Sequence, residues 1–556
     1  MVNPTITKKP TDYYTPSEEA KKLFQVIYRE NQAKSARDSD VPKIRVSEII
    51  SKMAFYYEKI RNAVDYEEEP LLRKNAIARI LKRQIVIEGS ISLKGLNSLD
   101  ISKHLLTELI RAGYLPNNSI PETKIHDISQ IIGKYLKLKM FSAPVIKNKK
   151  EEDENKDDLL NWFLALAASE IEEILGRNKV DLAIIEYIYE ILNKNIILPD
   201  DSAFKDDKEV QIYISIHRKY LKLDEEMIGF ILFKYYNSQW QNPSDEEIIK
   251  IADKIFSIRR AINYQIKHPL ARQIDRLVSI YNVNFTILRD VIEDNPVRVY
   301  EMVKAERAIF GRKIKEACNR RYKNAKAKLW RAAVRSIIYI FVTKSVFAIL
   351  LEIPATKFLG EPLNDLALAI NISFPAILLF IIVLFTRLPS ESNSQKIVEG
   401  IEGVVYKELV RQEPYVLRPA IKRGKVRDSI FGFIYFLTFL LSISVVIFGL
   451  DQIGFNWVSI TIFLFFLLFV SFFATRIRKN AREYIIVPPK ETILNFISDF
   501  FYIPVVSAGK WLSEKFSHLN VFVFVLDFII EAPFKIFVEI AEEWTKYVRE
   551  RKDDIV

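Results

Sequence analysis

A single cysteine, fifteen glycines and five histidines in 556 residues narrow what this chain does chemically. Cys318 alone forbids an intrachain disulfide, which fits a reducing compartment. Its neighbours Arg320, Arg321 and Lys323 favour a thiolate, but no base partner accompanies it. Glycine is too scarce for phosphate-cradling loops, and neither GxxxxGK[ST] nor GxGxxG occurs; HExxH is also missing. His104, His126, His217, His268 and His518 are scattered, none with a His or Cys at ligand spacing, so they read as surface or core residues. No metal or cofactor is expected, and the balance tips away from an enzyme. The first residues hold no apolar h-region, so no cleavable signal is expected and insertion falls to internal helices.

What the chain does have is long apolar sequence behind a dense basic segment. Residues 304–335 carry twelve Lys and Arg against Glu306 and Glu316, a net of +10 in a chain whose total is +11. Apolar runs follow at 336–353, 366–385, 430–450 and 457–475, each long enough for about 30 Å of hydrocarbon. The segments between them alternate in charge. The 354–365 connection sets Lys357 against Glu361 and Asp365, and the third connection holds only Asp451. The second carries nine Lys and Arg, and Arg476, Arg478, Lys479 and Arg482 follow the last run. Under the positive-inside rule this places both termini in the cytoplasm, in a multi-pass protein of the cell membrane. A re-entrant hairpin by the first two runs keeps the same parity.

Lys344 lies deep in the first run, with Glu352 at its outer end; Asn371 and Ser373 precede Pro375 in the second. A mid-bilayer lysine costs roughly 3 kcal/mol on insertion scales. Lys344 and Asn371 therefore form the candidate intramembrane polar site, against the plainer reading of a satisfied bundle lysine and a tolerated kink. No acidic residue falls near mid-span for a proton relay, and small-residue packing motifs are sparse, which weakens a channel or transporter reading.

The rest of the pattern is helical. Thr15-Pro16-Ser17-Glu18 reads as a capping box with Pro at the first helical position. Ile49, Ile50, Met53, Tyr56, Tyr57 and Ile60 recur at helical spacing. The expected fold is all-α, a multi-helix cytoplasmic domain joined by a long basic helix to a four-helix transmembrane region. In order, residues 1–146 and 159–296 form two helical domains around a charged linker at 147–158. Residues 297–335 form a basic stem helix, in a segment with no proline up to Pro354, either unbroken or interrupted near Gly311. The transmembrane region covers 336–475, and 484–556 hold amphipathic interfacial helices, with Asp527, Glu531, Lys535 and Glu539 striping the last of them.

The stem's position just before a span makes anionic lipid headgroups its expected partner, through Arg320, Arg321, Lys323, Lys326, Lys328, Arg331 and Arg335. Nucleic acid is the less favoured partner, although Phe310, Tyr322 and Trp330 offer stacking surfaces. The leading expectation is a non-enzymatic membrane-anchored scaffold that binds a cytoplasmic protein or forms a homo-oligomer. The alternative is a transporter or channel using the polar residues of the first two spans. A lipid-modifying enzyme ranks third.

Overall fold

The computed structural model describes residues 15–36, 42–62, 69–88, 97–148, 154–176, 178–199, 203–362, 364–386, 389–406, 415–417, 425–487 and 493–518, and isolated positions beyond. The amphipathic stripe expected at 527–539 lies outside them. The chain divides into two compact units, one built chiefly on Glu18–Asn282, the other chiefly on Val283–Leu409 and Ala420–Asn520.

The first unit is a stack of helices: α1 (Glu18–Ala36), α2 (Glu48–Asn62), α3 (Glu69–Lys82), α4 (Ser98–Arg111), α5 (Thr123–Asn148), α6 (Glu154–Gly176), α7 (Lys179–Asn195), α8 (Lys208–Tyr220), α9 (Glu225–Tyr236), α10 (Asp245–Asp253) and α11 (Ile255–Ile266). Starts are set by side chains that accept orphan amides: Asn97 for α4, Asn178 for α7, Asp224 for α9, and a Ser244–Glu247 capping box for α10. Apolar residues at helical spacing, such as Ile101, Leu105 and Leu109, meet Ile128, Ile132, Phe163, Ile171, Phe233 and Trp240 in a continuous core. α5 and α6 run into the charged 147–158 tract from either side. Buried ion pairs tie the helices together. Lys134 Nζ sits 2.5 Å from Glu170 Oε1 and donates to the Trp240 carbonyl, while Trp240 Nε1 donates to Glu170. One short parallel pairing, Ile196–Ile197 with Tyr415–Val416, brings part of the 387–429 segment into this unit.

α12 (Ala271–Asp294) closes the first unit and enters the second. α13 (Pro296–Ala305) starts with Asn295 capping and Pro296 at the first turn. The chain then breaks at Glu306 (φ −133°, ψ 53°), not at Gly311. From Arg307 one helix, α14, runs 52 residues to Phe358. Gly311 lies inside it, where an added Cβ would meet Val398 and Glu402 of α16 (Glu391–Val405) at 3.5 and 3.4 Å. The stem is thus packed along one face rather than free. α14 continues past the expected end at Ile353 because Ala348–Glu352 forms a π turn ahead of Pro354. Proline removes the amide that would bond the Leu350 carbonyl, and a wider turn accommodates the loss.

α15 (Asp365–Leu384), α17 (Lys425–Gln452) and α18 (Trp457–Ala481) complete the apolar set. Among the described residues four helices are long and apolar enough to cross a membrane, matching the four runs in the sequence. They bury Leu329, Ala333, Leu379, Val383, Val470 and Ala474 in one cluster and Ala367, Leu450, Phe455, Ile460 and Phe463 in another. Outward residues such as Ile338, Phe341, Ile349, Leu350 and Phe433 stay exposed, as a lipid-facing surface requires. The two weakly charged loops meet: Asn456 donates to the Pro362 carbonyl and Asn364 to that of Gly454. α19 (Ile493–His518) is one helix through Pro504 and packs along α17 and α18.

Candidate functional sites

The polar residues of the first two spans converge. Lys344 and Glu352 of α14, Asn371 of α15 and Thr356 all have no exposed surface, and Ser459 of α18 is buried beside them. Asn371 Nδ2 donates to Glu352 Oε1 at 2.5 Å and to the Ser459 carbonyl at 3.3 Å; Ser459 Oγ donates to the same Glu352 oxygen at 2.8 Å. Lys344 Nζ lies 3.9 Å from Glu352 Oε2 and 4.1 Å from the centre of the Phe466 ring. The cluster brings the two sequence candidates together and adds a carboxylate that sequence reasoning left at the span's outer end. Lys344 and Glu352 are eight residues apart, a spacing that the π turn converts to nearly two α-helical turns. Lys344 Nζ, Glu352 Oε2, Thr356 Oγ1 and Asn371 Oδ1 have no hydrogen-bond partner among the described residues. A site of this kind holds charge out of water at a cost.

The seven basic residues expected on lipid divide into two groups. Arg321 grips Asp290 with Nε and Nη2 at 2.5 Å each, and Arg320 pairs with Asp294 at 2.6 Å. Lys323, Lys326, Lys328, Arg331 and Arg335 are exposed and carry no ion pair among the described residues. On the packed face, Asn393 of α16 donates to Tyr322 Oη and the Tyr484 carbonyl, and accepts the amides of Ile486 and Val487. Its whole hydrogen-bonding capacity is used to fix α14 against α16 and the segment after α18. Cys318, expected to be a cation-assisted thiolate, is fully buried on this face and closed to reagents.

The helical unit holds a cleft that the sequence did not announce. It measures about 830 Å³ and lies among α6, α7, α8 and α9, with Pro70 and Arg73 of α3 at its edge. Ile185, Val210, Ile214, Met227, Phe230 and Leu232 make its apolar wall. Arg73 pairs with Glu172 through two 2.7 Å bonds and Lys234 with Glu173, so both lining cations are neutralised. Asp181, Glu186 and Glu209 remain in excess. His217, 5 % exposed, lines the same cleft. Its Nδ1 faces the Tyr213 carbonyl at 2.9 Å, and burial drives its pKa down to about 4. The neutral ring donates from Nδ1, leaving Nε2 as an acceptor. Volume, apolar walls and a few directed polar groups are the features of a small-molecule site. No motif marks it, because its lining comes from five helices, each contributing ordinary core residues. No group of three or more His, Cys, Asp or Glu able to hold a metal occurs among the described residues.

No protein-family model matches the chain, and neither a curated protein nor a solved structure is significantly similar to it.

Proposed function

We propose that this is a multi-pass protein of the cell membrane whose helical unit acts on the cytoplasmic side as a non-enzymatic binding module. The observation that carries the reading is the cleft, a formed recognition surface in the unit outside the apolar helices. Two further observations support the topology. The strand Tyr415–Val416, from the basic segment between the second and third apolar helices, pairs within the helical unit, which supports a shared side for that segment and this unit. The bonds joining the 362–364 and 454–456 loops favour full crossings by the first pair over a re-entrant hairpin, which would end at mid-depth. Lys323, Lys326, Lys328, Arg331 and Arg335 then fall where anionic headgroups lie, each worth ~1 kcal/mol near the surface. Affinity purification in mild detergent tests the binding role. Repeated recovery of the chain alone, with no partner, bound small molecule or second copy, overturns it.

A second reading, transport, rests on the sealed cluster of Lys344, Glu352 and Asn371. Flux into liposomes that falls with Lys344→Met supports transport; no flux, or flux unchanged by the substitution, removes it.

A further inference from the structure

The cleft's chemistry narrows its ligand, and this inference rests on the binding role above. We infer that the cleft among α6, α7, α8 and α9 binds a small organic ammonium ion with an apolar body, its charged end held by Glu186, Glu209 and His217 Nε2. Three observations converge. The first is charge. With Arg73 and Lys234 neutralised by Glu172 and Glu173, the lining carries three further carboxylates and no further Lys or Arg. Asp181 already accepts from Tyr220 Oη at 3.0 Å. Glu186 has no partner among the described residues, and Glu209 receives a 3.4 Å bond from Asn193 and interacts with the Tyr189 hydroxyl. An anionic ligand would meet uncompensated repulsion at that wall; a cation would meet the opposite charge.

The second is a buried acceptor. His217 Nε2 has no protein partner among the described residues, although the side chain is nine-tenths buried and lines the cleft. A neutral imidazole nitrogen accepts an N–H and cannot donate to a carboxylate, so it discriminates the same way as the carboxylates do. The third is aromatic. Tyr213 packs against His217 with its ring tilted and the centroids 4.4 Å apart, and meets Tyr189 edge-on at 6.1 Å. Tyrosine faces beside an apolar wall favour cations over neutral isosteres. The volume suits one such molecule rather than a protein segment crossing the surface.

The test uses three probes sharing one apolar body: phenylbutylamine, phenylbutanol and phenylbutyrate. Each is titrated calorimetrically into the full chain in zwitterionic nanodiscs, with empty discs as the blank. The expected result is one saturable site per chain that takes the amine about tenfold more tightly than the alcohol, with the carboxylate weakest. Substituting Glu186→Gln and Glu209→Gln together, both exposed positions, should remove the amine's advantage over the alcohol. Alcohol or carboxylate binding as tight as the amine's overturns the ammonium assignment and leaves the cleft a binding site. An amine preference that survives the double substitution also overturns it. The binding role itself fails separately, on the purification experiment. Failure of all three probes to saturate overturns the assignment of a small-molecule site to this cleft.

Discussion

Lys344 and Glu352 face one another 3.9 Å apart on the same helix, sealed among apolar side chains. In a regular α-helix eight residues make about 2.2 turns and would leave the two side chains offset. The π turn at Ala348–Glu352 takes up one residue, so they sit as if seven apart, close to two turns. Asn371 and Ser459 then fix the carboxylate from two other helices. Breaking such a pair from one side strands a buried charge. Lys344→Met is expected to destabilise the membrane unit by about 3–5 kcal/mol. Adding Glu352→Gln, which keeps the acceptor for Asn371 and Ser459, should restore at least half of that. Thermal unfolding in a fixed detergent checks both; a single variant as stable as the parent contradicts the pairing.

Gly509 marks a close helix contact in the same unit. A Cβ built there would lie 2.1 Å from the Leu468 carbonyl oxygen, a backbone atom that cannot step aside. Gly509→Ala should therefore push α19 off α18 at a cost of about 1–3 kcal/mol. Proteolysis would report it as faster cleavage around 487–493. Gly432 and Gly449 meet nothing within 4 Å, so Ala at either position is the control and should be neutral.

The four helices long and apolar enough to cross a membrane were legible because composition alone encodes them: apolar runs of membrane length, flanked by Lys and Arg. The helical character of residues 18–266 was equally readable from period and caps. Lys344 and Asn371 were legible as anomalies, but their convergence was not. It depends on a π turn, which leaves no residue signature, and on the packing of α18, which brings Ser459 and Phe466. Glu352 went unpaired in the sequence because an i, i+8 spacing falls outside the pairings of a regular helix. The break at Glu306 was hidden for a different reason. Gly311 was the obvious weak point, yet that glycine is there to admit α16, and Glu306 is an ordinary helix former. The cleft was invisible, since pockets arise from what neighbouring helices fail to fill.

Cys318 offers a direct check on the packed stem. The side chain has no exposed surface, held between α14's own turns and the α16 face that Asn393 anchors. In the native protein a maleimide should label it slowly, and unfolding should make labelling immediate. Asn393→Leu removes one donor from Tyr322 Oη, which keeps Ser394 Oγ, and one from the Tyr484 carbonyl, and takes the side-chain acceptor from the Ile486 and Val487 amides. Labelling of Cys318 should then accelerate by about tenfold or more, as one or two kcal/mol of local stability is lost. Rapid labelling of the parent protein would mean the stem stands free.

His217 should make the helical unit sensitive to mild acid. Its pKa falls from the ordinary 6.5 to about 4, first because burial disfavours the imidazolium, with Lys234 adding to the effect and the Tyr213 carbonyl opposing it. Between those two values the unfolded chain binds a proton that the folded one does not, so unfolding gains ground as pH drops. The stability this residue supports is complete above pH 6.5 and is lost progressively down to about pH 4, on the order of 3 kcal/mol in all. His217→Phe, similar in size and unable to titrate, should flatten that part of the curve, measured by denaturant unfolding of the full chain between pH 7.5 and 4.5. An occupant whose ammonium donates to Nε2 would oppose protonation further and shift the loss to lower pH. A slope unchanged by the substitution would assign the acid sensitivity to other groups.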